Sequence, residues 1–593
     1  EYSDVIACGV ADKTLSTYTL RSDTTKIASR AFKDCNNLTS ITIPASVMNI
    51  GFGAFSYCNG LTSISVDERN TAYDSRENCN AIIKTSNNSL IAGCSTTTIP
   101  ESVTSIGGVA FANFTNITEI TIPANVTSIG PSAFYNCKNL SEITIPANVE
   151  SIGRSAFEGT PWLNNQSEGI VYVGKTLYAY KGSMPEKTSI DVREGTKSIT
   201  DKAFYEQENL SSITIPASVT EIGDEAFNAC SGLAAINVAE GNIVYDSREG
   251  CNAIIETNSN ALLLGCSATI IPEDVTSIGN AAFWGCSGLS EITIPASVKS
   301  IGAKAFQSCR YLTSVVISEG VDSIGDLAFS SCNRLDSIIL PTSIKDIGNS
   351  TFLNCSNLTS IVIPEGVSRI TDAMFYGCAN LNEIIIPEGV KSIGWDAFRE
   401  CVSLREVIIP SSVTSIGSYA FYGCSNLTNI TIPKGVKTIW NETFRGCSSL
   451  ASIILPEGMT SIGESALYGC ISLTEITIPY GVTSIGESAF YFCNNLTTIT
   501  IPASVTNIAS FAFSCRQLRE VYCHAEELPS MGAVVFYLKA IDSTTLHVPT
   551  SALETYKTTA PWSSFGNIVA IEEPKPYLVT EGKEWAICTT GAY

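Results

Sequence analysis

Cysteine is the residue type in this chain with the most chemistry open to it. There are 22, against two histidines, His524 and His547. A thiolate can ligate zinc, attack an electrophile or close a disulfide. Spacing decides among these. Fourteen of the cysteines, from Cys35 to Cys493, fall at one phase of a 23-residue period. Three other turns of that period carry Phe114, Thr160 and Gln207 at the same phase. No metal ligand or obligatory disulfide partner tolerates such swaps. Side chains stacked on successive turns also stay ~4.8 Å apart, well beyond the ~2.05 Å of an S–S bond. The series therefore reads as a ladder of small buried hydrophobes. The two histidines have no zinc spacing around them. There is no Gly-rich phosphate loop and no G-x-S-x-G elbow. The sequence places no catalytic group, no metal and no cofactor.

The period itself is plainest between Pro272 and Pro502. Eleven reference positions stand 23 residues apart, ten of them Pro and the eleventh Ser318. Such spacing marks a solenoid, one unit stacked on copies of itself. In the unit 404–421, followed by Cys424, apolar residues recur at Val413, Ile416, Ala420, Phe421, Cys424, Leu427, Ile430 and Ile432. No single helix or strand period runs through them. Val407 and Ile409 are two apart in a β-rich run and point the same way. Pro410 then ends the strand, because it has no N–H for a continuing ladder. Gly417 marks a turn. Residues 418–424 read as a single helical or 3-10 turn that drops Phe421 into the interior. Strands of successive coils are expected to pair in parallel into one long sheet.

The pattern L-x-x-I-x-I-P-x-x-V-x-x-I-G-x-x-A-F-x-x-C resembles the BspA-like, or Treponema-type, leucine-rich repeat. The resemblance covers residues 21–520. It implies a right-handed leucine-rich-repeat solenoid of about eighteen 23-residue coils. Short parallel β-strands would alternate with turns and short helical or 3-10 pieces, capped at both ends. It also implies a non-enzymatic bacterial protein, secreted or at the cell surface, that binds a host or cell-surface protein or glycan. It supplies no ligand and no catalytic site.

The net charge of −22 argues against a nucleic-acid partner. No apolar run approaches the ~18 residues of a membrane span. The chain starts Glu-Tyr-Ser without Met, which reads as a processed or trimmed N-terminus from which any signal peptide is already gone; export is expected from the resemblance. Buried free thiols in an exported protein fit an anaerobic bacterium.

In chain order, residues 1–20 are expected to be an N-terminal cap and 21–520 the repeats. Hairpin insertions fall near 68–99, 160–192 and 240–271. The first and third share an offset of 172 residues, as do Pro44 and Pro216, so a block of repeats is duplicated. Residues 81–84 and 89–92 flank the turn pair Ser86-Asn87. Cys79 and Cys94 sit symmetrically about that turn, and Cys251 and Cys266 about Asn258-Ser259. They are expected to face each other across the ladder, where a disulfide or two packed thiols fit equally well. The second insertion, with its aromatic run 171–180, reads as a hairpin tucked over the coil edge or as an aromatic contact site. Residues 521–571 form a closing unit. Residues 572–593 read as a linker and the possible start of a further segment.

One column of positions varies in an informative way. Two residues before the reference Pro, the strand side chain points outward. It is Thr42, Ser65, Thr98, Thr121, Thr144 and Thr214 early in the chain. Later it is Val316, Ile339, Val362, Ile385 and Ile408, then Thr431, then Ile454. An exposed β-branched stripe can be a binding surface. Alternatively it reflects β-propensity on a solvated face. Glu383, Arg405 and Glu406 would border it. Two functions remain open at this stage: adhesion through the sheet face, or a structural spacer presenting a downstream domain.

Overall fold

The structure is a computed structural model that describes residues 5–537 and 541–571. The linker and further segment expected at 572–593 lie outside the described residues. The chain is a leucine-rich-repeat solenoid with little helix, built coil upon coil. Between Gly389 and Val390 it divides into two compact units.

Most coils open with a short strand of alternating side chains, but residues 405–409, where Val407 and Ile409 were expected on a strand ended by Pro410, form none. In Ser314–Ile317, Val315 and Ile317 point inward while Ser314 and Val316 face solvent. This strand pairs in parallel with Glu291–Ile294 of the coil before. After the reference position a second strand follows, only two residues long. Ser323–Ile324 is one example, paired with Ser300–Ile301 and Asp346–Ile347. The one long sheet expected from the sequence is therefore two separate series of parallel strands. A Ser-Ile pair is too short to show any period, which is why the second series was not anticipated.

A third ladder joins the coils on the turn side. Lys304, Phe306 and Ser308 donate backbone N–H groups to Asp326, Ala328 and Ser330 of the next coil, at 2.7 to 2.8 Å. The next coil repeats this: Leu327, Phe329 and Ser331 donate to Asn349, Thr351 and Leu353. The N–H groups all point one way because left-handed residues flank the Phe. Lys304 has φ 59°, Ser308 60°, Leu327 58° and Ser331 61°. Left-handed residues break a helix, so the expected helical turn at 418–424 is a run of tight turns instead, with Tyr419 at φ 60°.

The phenylalanines these turns deliver form the core. Phe306, Phe329 and Phe352 stack with centroids 5.1 and 5.8 Å apart and planes within 7°. In the second unit Phe421 lies between Phe398 and Phe444, at 5.2 and 5.4 Å.

At the N-terminal end, Ile6–Ala7 pairs with Lys26–Ile27, so the stretch expected to cap the solenoid already carries a strand of the second series. In the closing unit, Glu520–Cys523, Thr545–Val548 and Asn567–Ala570 continue the outer sheet in parallel. The short helix Leu553–Thr558 brings the buried Tyr556 against Trp562 there.

The insertions are built into the stack. Ile82–Lys84 and Ser89–Ala92 form an antiparallel hairpin, with Tyr73–Asp74 as a third strand. Ser89 and Leu90 then pair in parallel with Ser105 and Ile106, taking the place of a second-series strand. The third insertion does the same through Ala261 and Leu262. In the second insertion, Gly169–Val173 and Thr176–Lys181 form a hairpin that acts as a septum. Val171, Val173 and Tyr178 join the hydrophobic cluster of the preceding coils, while Ile170, Tyr172, Leu177 and Tyr180 join that of the following ones. The Tyr178 hydroxyl accepts a hydrogen bond from the Phe157 N–H at 3.0 Å. The aromatic run is thus packed between coils rather than presented as a contact site.

Candidate functional site

The outward column on the first strand series carries the candidate site, and the two compact units present it separately. In the first unit, strand pleating turns Val316, Ile339, Val362 and Ile385 to solvent, at 53, 81, 56 and 52 % exposed. Val316 registers with Ile339 on the adjacent strand, and Val362 with Ile385. In the second unit Ile408 and Ile454 are 75 and 62 % exposed, with Thr431 opposite Ile454.

One member of the column was missed in the sequence. Ile270, 77 % exposed, stands two residues before Pro272, the position that Thr98 holds before Pro100 behind the first insertion. The column of the first unit therefore runs Ile270, Thr293, Val316, Ile339, Val362, Ile385. In the early coils the same positions are hydroxyls that hydrogen-bond one another, as Thr42 and Ser65 do at 2.9 Å.

Ile270, Thr293 and Val316 line a hollow of about 480 Å³ together with Glu273 and Glu291. The duplicated block supplies a second hollow of about 440 Å³, lined by Thr98, Thr121 and Thr144 with Glu101, Glu119 and Glu142. Both arise where a hairpin hands the chain back to the first strand series. The first sets Ile270 and Val316 on either side of Thr293, where its copy has three threonines. Of the charged residues expected to border the stripe, Glu383 lies exposed at the start of Glu383–Ile385. Arg405 and Glu406 lie exposed in the second unit.

Farther along the second unit the column changes character, which the sequence reading also missed. Thr500, Tyr522 and His547 are in register on adjacent strands. The Tyr522 and His547 rings stack at 4.2 Å, and His547 Nε2 is 2.7 Å from Glu520 Oε2.

The hairpin cysteines do not face each other. A bulge between Ile82 and Ile83 slips the register by one residue. Cys94 then sits beside Asn80, with Sγ 3.3 Å from its carbonyl oxygen. Cys266 stands in the same relation to Asn252 at 3.3 Å, after the same slip between Ile254 and Ile255. Cys79, Cys94, Cys251 and Cys266 are buried free thiols in the structure. Burial pushes the thiols of Cys79, Cys251 and Cys266 up from the ordinary value.

Among the described residues, no three His, Cys, Asp or Glu side chains gather as a metal-binding group. No helix among them is long and apolar enough to cross a membrane.

The comparisons with known proteins agree with the repeat. A BspA type leucine rich repeat region matches residues 11–90, 78–180, 172–249, 255–382, 345–448, 368–473 and 438–558. A leucine-rich repeat protein from Bacteroides ovatus is 27 % identical, covering 69 % of this chain and 97 % of its own, with a TM-score of 0.45. A leucine rich cell surface protein from Faecalibacterium prausnitzii is 23 % identical, covering 74 % and 86 %, with a TM-score of 0.22. The leucine-rich repeat protein of T. pallidum is 24 % identical, covering 40 % and 90 %, with a TM-score of 0.25. No curated protein matches. With the repeat model matched along nearly the whole described length, the chain belongs to the BspA-type leucine-rich-repeat family.

Proposed function

We propose that this is a non-enzymatic binding protein, secreted or held at the surface of a bacterium, that takes a protein or glycan on its outward sheet face. One observation carries the reading. Val316, Ile339, Val362 and Ile385 stand exposed on successive coils at positions where earlier coils mostly place Thr and Ser. β-propensity is satisfied by Thr as well as by Val or Ile, so it does not account for the switch. Apolar side chains gathered on one exposed face do fit a contact surface. Placement at the cell surface is part of the proposal and rests on the resemblance carried by the repeat.

The test is a binding screen of the purified chain against extracellular-matrix proteins and a glycan panel. Beside it runs a variant with Val316, Ile339, Val362, Ile385 and Ile408 all changed to Thr. Saturable binding that is lost in the folded variant supports the sheet face. Binding kept by the variant moves the site elsewhere. No binding to any member favours the spacer reading.

A further inference from the structure

The apolar column of the first unit is bordered on both sides by carboxylates. Two residues before it along the strand stand Glu291 and Glu383; three residues after it stand Glu273, Glu319 and Glu365, all exposed. The strand rise places the Glu291 and Glu383 row about 7 Å from the column; Glu273, Glu319 and Glu365 lie in the turn that follows the strand position. Across the coils from 268 to 388, no Lys or Arg occupies either row or the column. The next basic residues, Lys299 and Lys345 on one side and Arg310 and Arg334 on the other, lie three or four positions beyond these rows; Lys345 is paired with Asp322 at 3.2 Å, and Arg334 stacks over the Tyr311 ring. Hydrogen bonds from Thr342 and Ser343 hold the Glu319 carboxyl below its ordinary range, so Glu319 keeps its charge in mild acid. The column from Ile270 to Ile385 spans six coils, about 24 Å at the strand spacing.

We infer that this face receives a basic amphipathic helix of a partner polypeptide, its apolar stripe on the Ile270–Ile385 column and its Lys or Arg residues over the two acidic rows. The inference rests on the sheet-face reading above and specifies the partner. The dimensions match. A helix is 10–12 Å across, and about sixteen residues of it cover 24 Å. Basic residues flanking an apolar face reach carboxylates on either side, as in helix-on-groove recognition. The hollow between Ile270, Thr293 and Val316, with Glu273 and Glu291 on its wall, gives one long basic side chain a seat. The same charge rejects sulfated glycans. The copied hollow has the acid but three threonines on the column, so it offers charge without the apolar stripe.

The probes are synthetic peptides of about eighteen residues: Leu and Lys at helical amphipathic spacing, the same pattern with Glu for Lys, and a scrambled Leu/Lys peptide of equal composition. The patterned Leu/Lys peptide is expected to bind the whole chain saturably, more weakly as salt rises. A variant with Glu273, Glu291, Glu365 and Glu383 changed to Gln is expected to lose about tenfold in affinity. These side chains are exposed, and an unchanged unfolding midpoint confirms the variant's fold. Binding of the Glu-patterned or scrambled peptide as tightly as the Leu/Lys one overturns the inference. So does an unchanged affinity in the Gln variant, or saturable binding of heparin to this face. If the panel above finds a ligand lost in the Thr variant but kept in the Gln variant, the partner class is wrong and the sheet-face reading stands. If no peptide and no panel member binds, both fall.

Discussion

The Sγ of Cys424 lies 3.1 Å from the carbonyl oxygen of Phe398, one coil back. The same carbonyl accepts the N–H of Cys401 at 3.1 Å, so both its lone pairs are engaged. Cys58 does this to Phe32, Cys309 to Phe283 and Cys447 to Phe421, at 3.0 to 3.1 Å. The thiol is a small hydrophobe that also closes a buried acceptor, and alanine or valine cannot do both. Cys424→Ala is expected to cost about 1–3 kcal/mol, with Cys424→Ser closer to the native protein. Urea midpoints at constant slope check the ranking; equal loss in both variants removes the hydrogen bond's role.

Burial pushes the thiols of Cys58, Cys137, Cys355 and Cys424 up to about 12, from 9.0. Below pH 9 the thiols are protonated in both folded and unfolded chains, and their contribution is fully present. As the pH rises from 9 toward 12 the unfolded chain releases these protons and the folded one does not, so stability falls. Thermal unfolding is expected to drop steeply over that window, because several thiols act together. A flat profile between pH 9 and 12 contradicts the burial.

Thiol labelling gives a separate measurement. Among the described cysteines, Cys8 is exposed and the others are buried. Native alkylation is expected to modify Cys8 first. Denaturation without reductant is expected to expose Cys79, Cys94, Cys251 and Cys266 as free thiols. Mass spectrometry showing a Cys79–Cys94 crosslink would contradict the slipped register.

Phe421 is fully buried between two parallel rings. Phe421→Ala is expected to cost about 3–5 kcal/mol, and to loosen the neighbouring coils first, since each coil contacts only its neighbours. Hydrogen exchange localised around that coil is the readout.

Asn242 holds the entry to the third insertion. Its Nδ2 donates to the carbonyls of Pro216 and Val219, and its Oδ1 accepts from the N–H groups of Val244 and Tyr245, all at 2.9 to 3.0 Å. Asn242→Ala is expected to cost about 3 kcal/mol, because buried backbone groups lose their partners. Asn70 makes the same four bonds in the other copy, and its substitution should match.

The first strand series, the Phe core and the hairpins were legible because each leaves a periodic or compositional mark. Val315 and Ile317 alternate with exposed neighbours, and Phe recurs at one phase. The second series left none, since two residues such as Ser323 and Ile324 have no period. The left-handed positions were also hidden, because Lys304, Leu327 and Tyr419 occupy them without glycine. Their conformation goes with hydrogen bonds to the next coil, which a sequence does not display. The stripe was read from Val316 onward, and Ile270 was lost because Thr293 separates it from that apolar run. The facing of Cys79 and Cys94 failed on a single bulge, which moves every later partner by one residue.

In the first unit alternate turn-side N–H groups, such as those of Lys304, Phe306 and Ser308, point toward the following coil, whose carbonyls meet them. Every coil is thus a plug at one edge and a matching socket at the other. Adding or removing whole coils leaves no plug without a socket, whereas removing part of one strands a row of donors. The duplication visible between Pro44 and Pro216 is the kind of change this permits: recombination can lengthen the protein in whole turns, and selection can then alter one copy's face, as Thr144 and Val316 differ, without touching the joints.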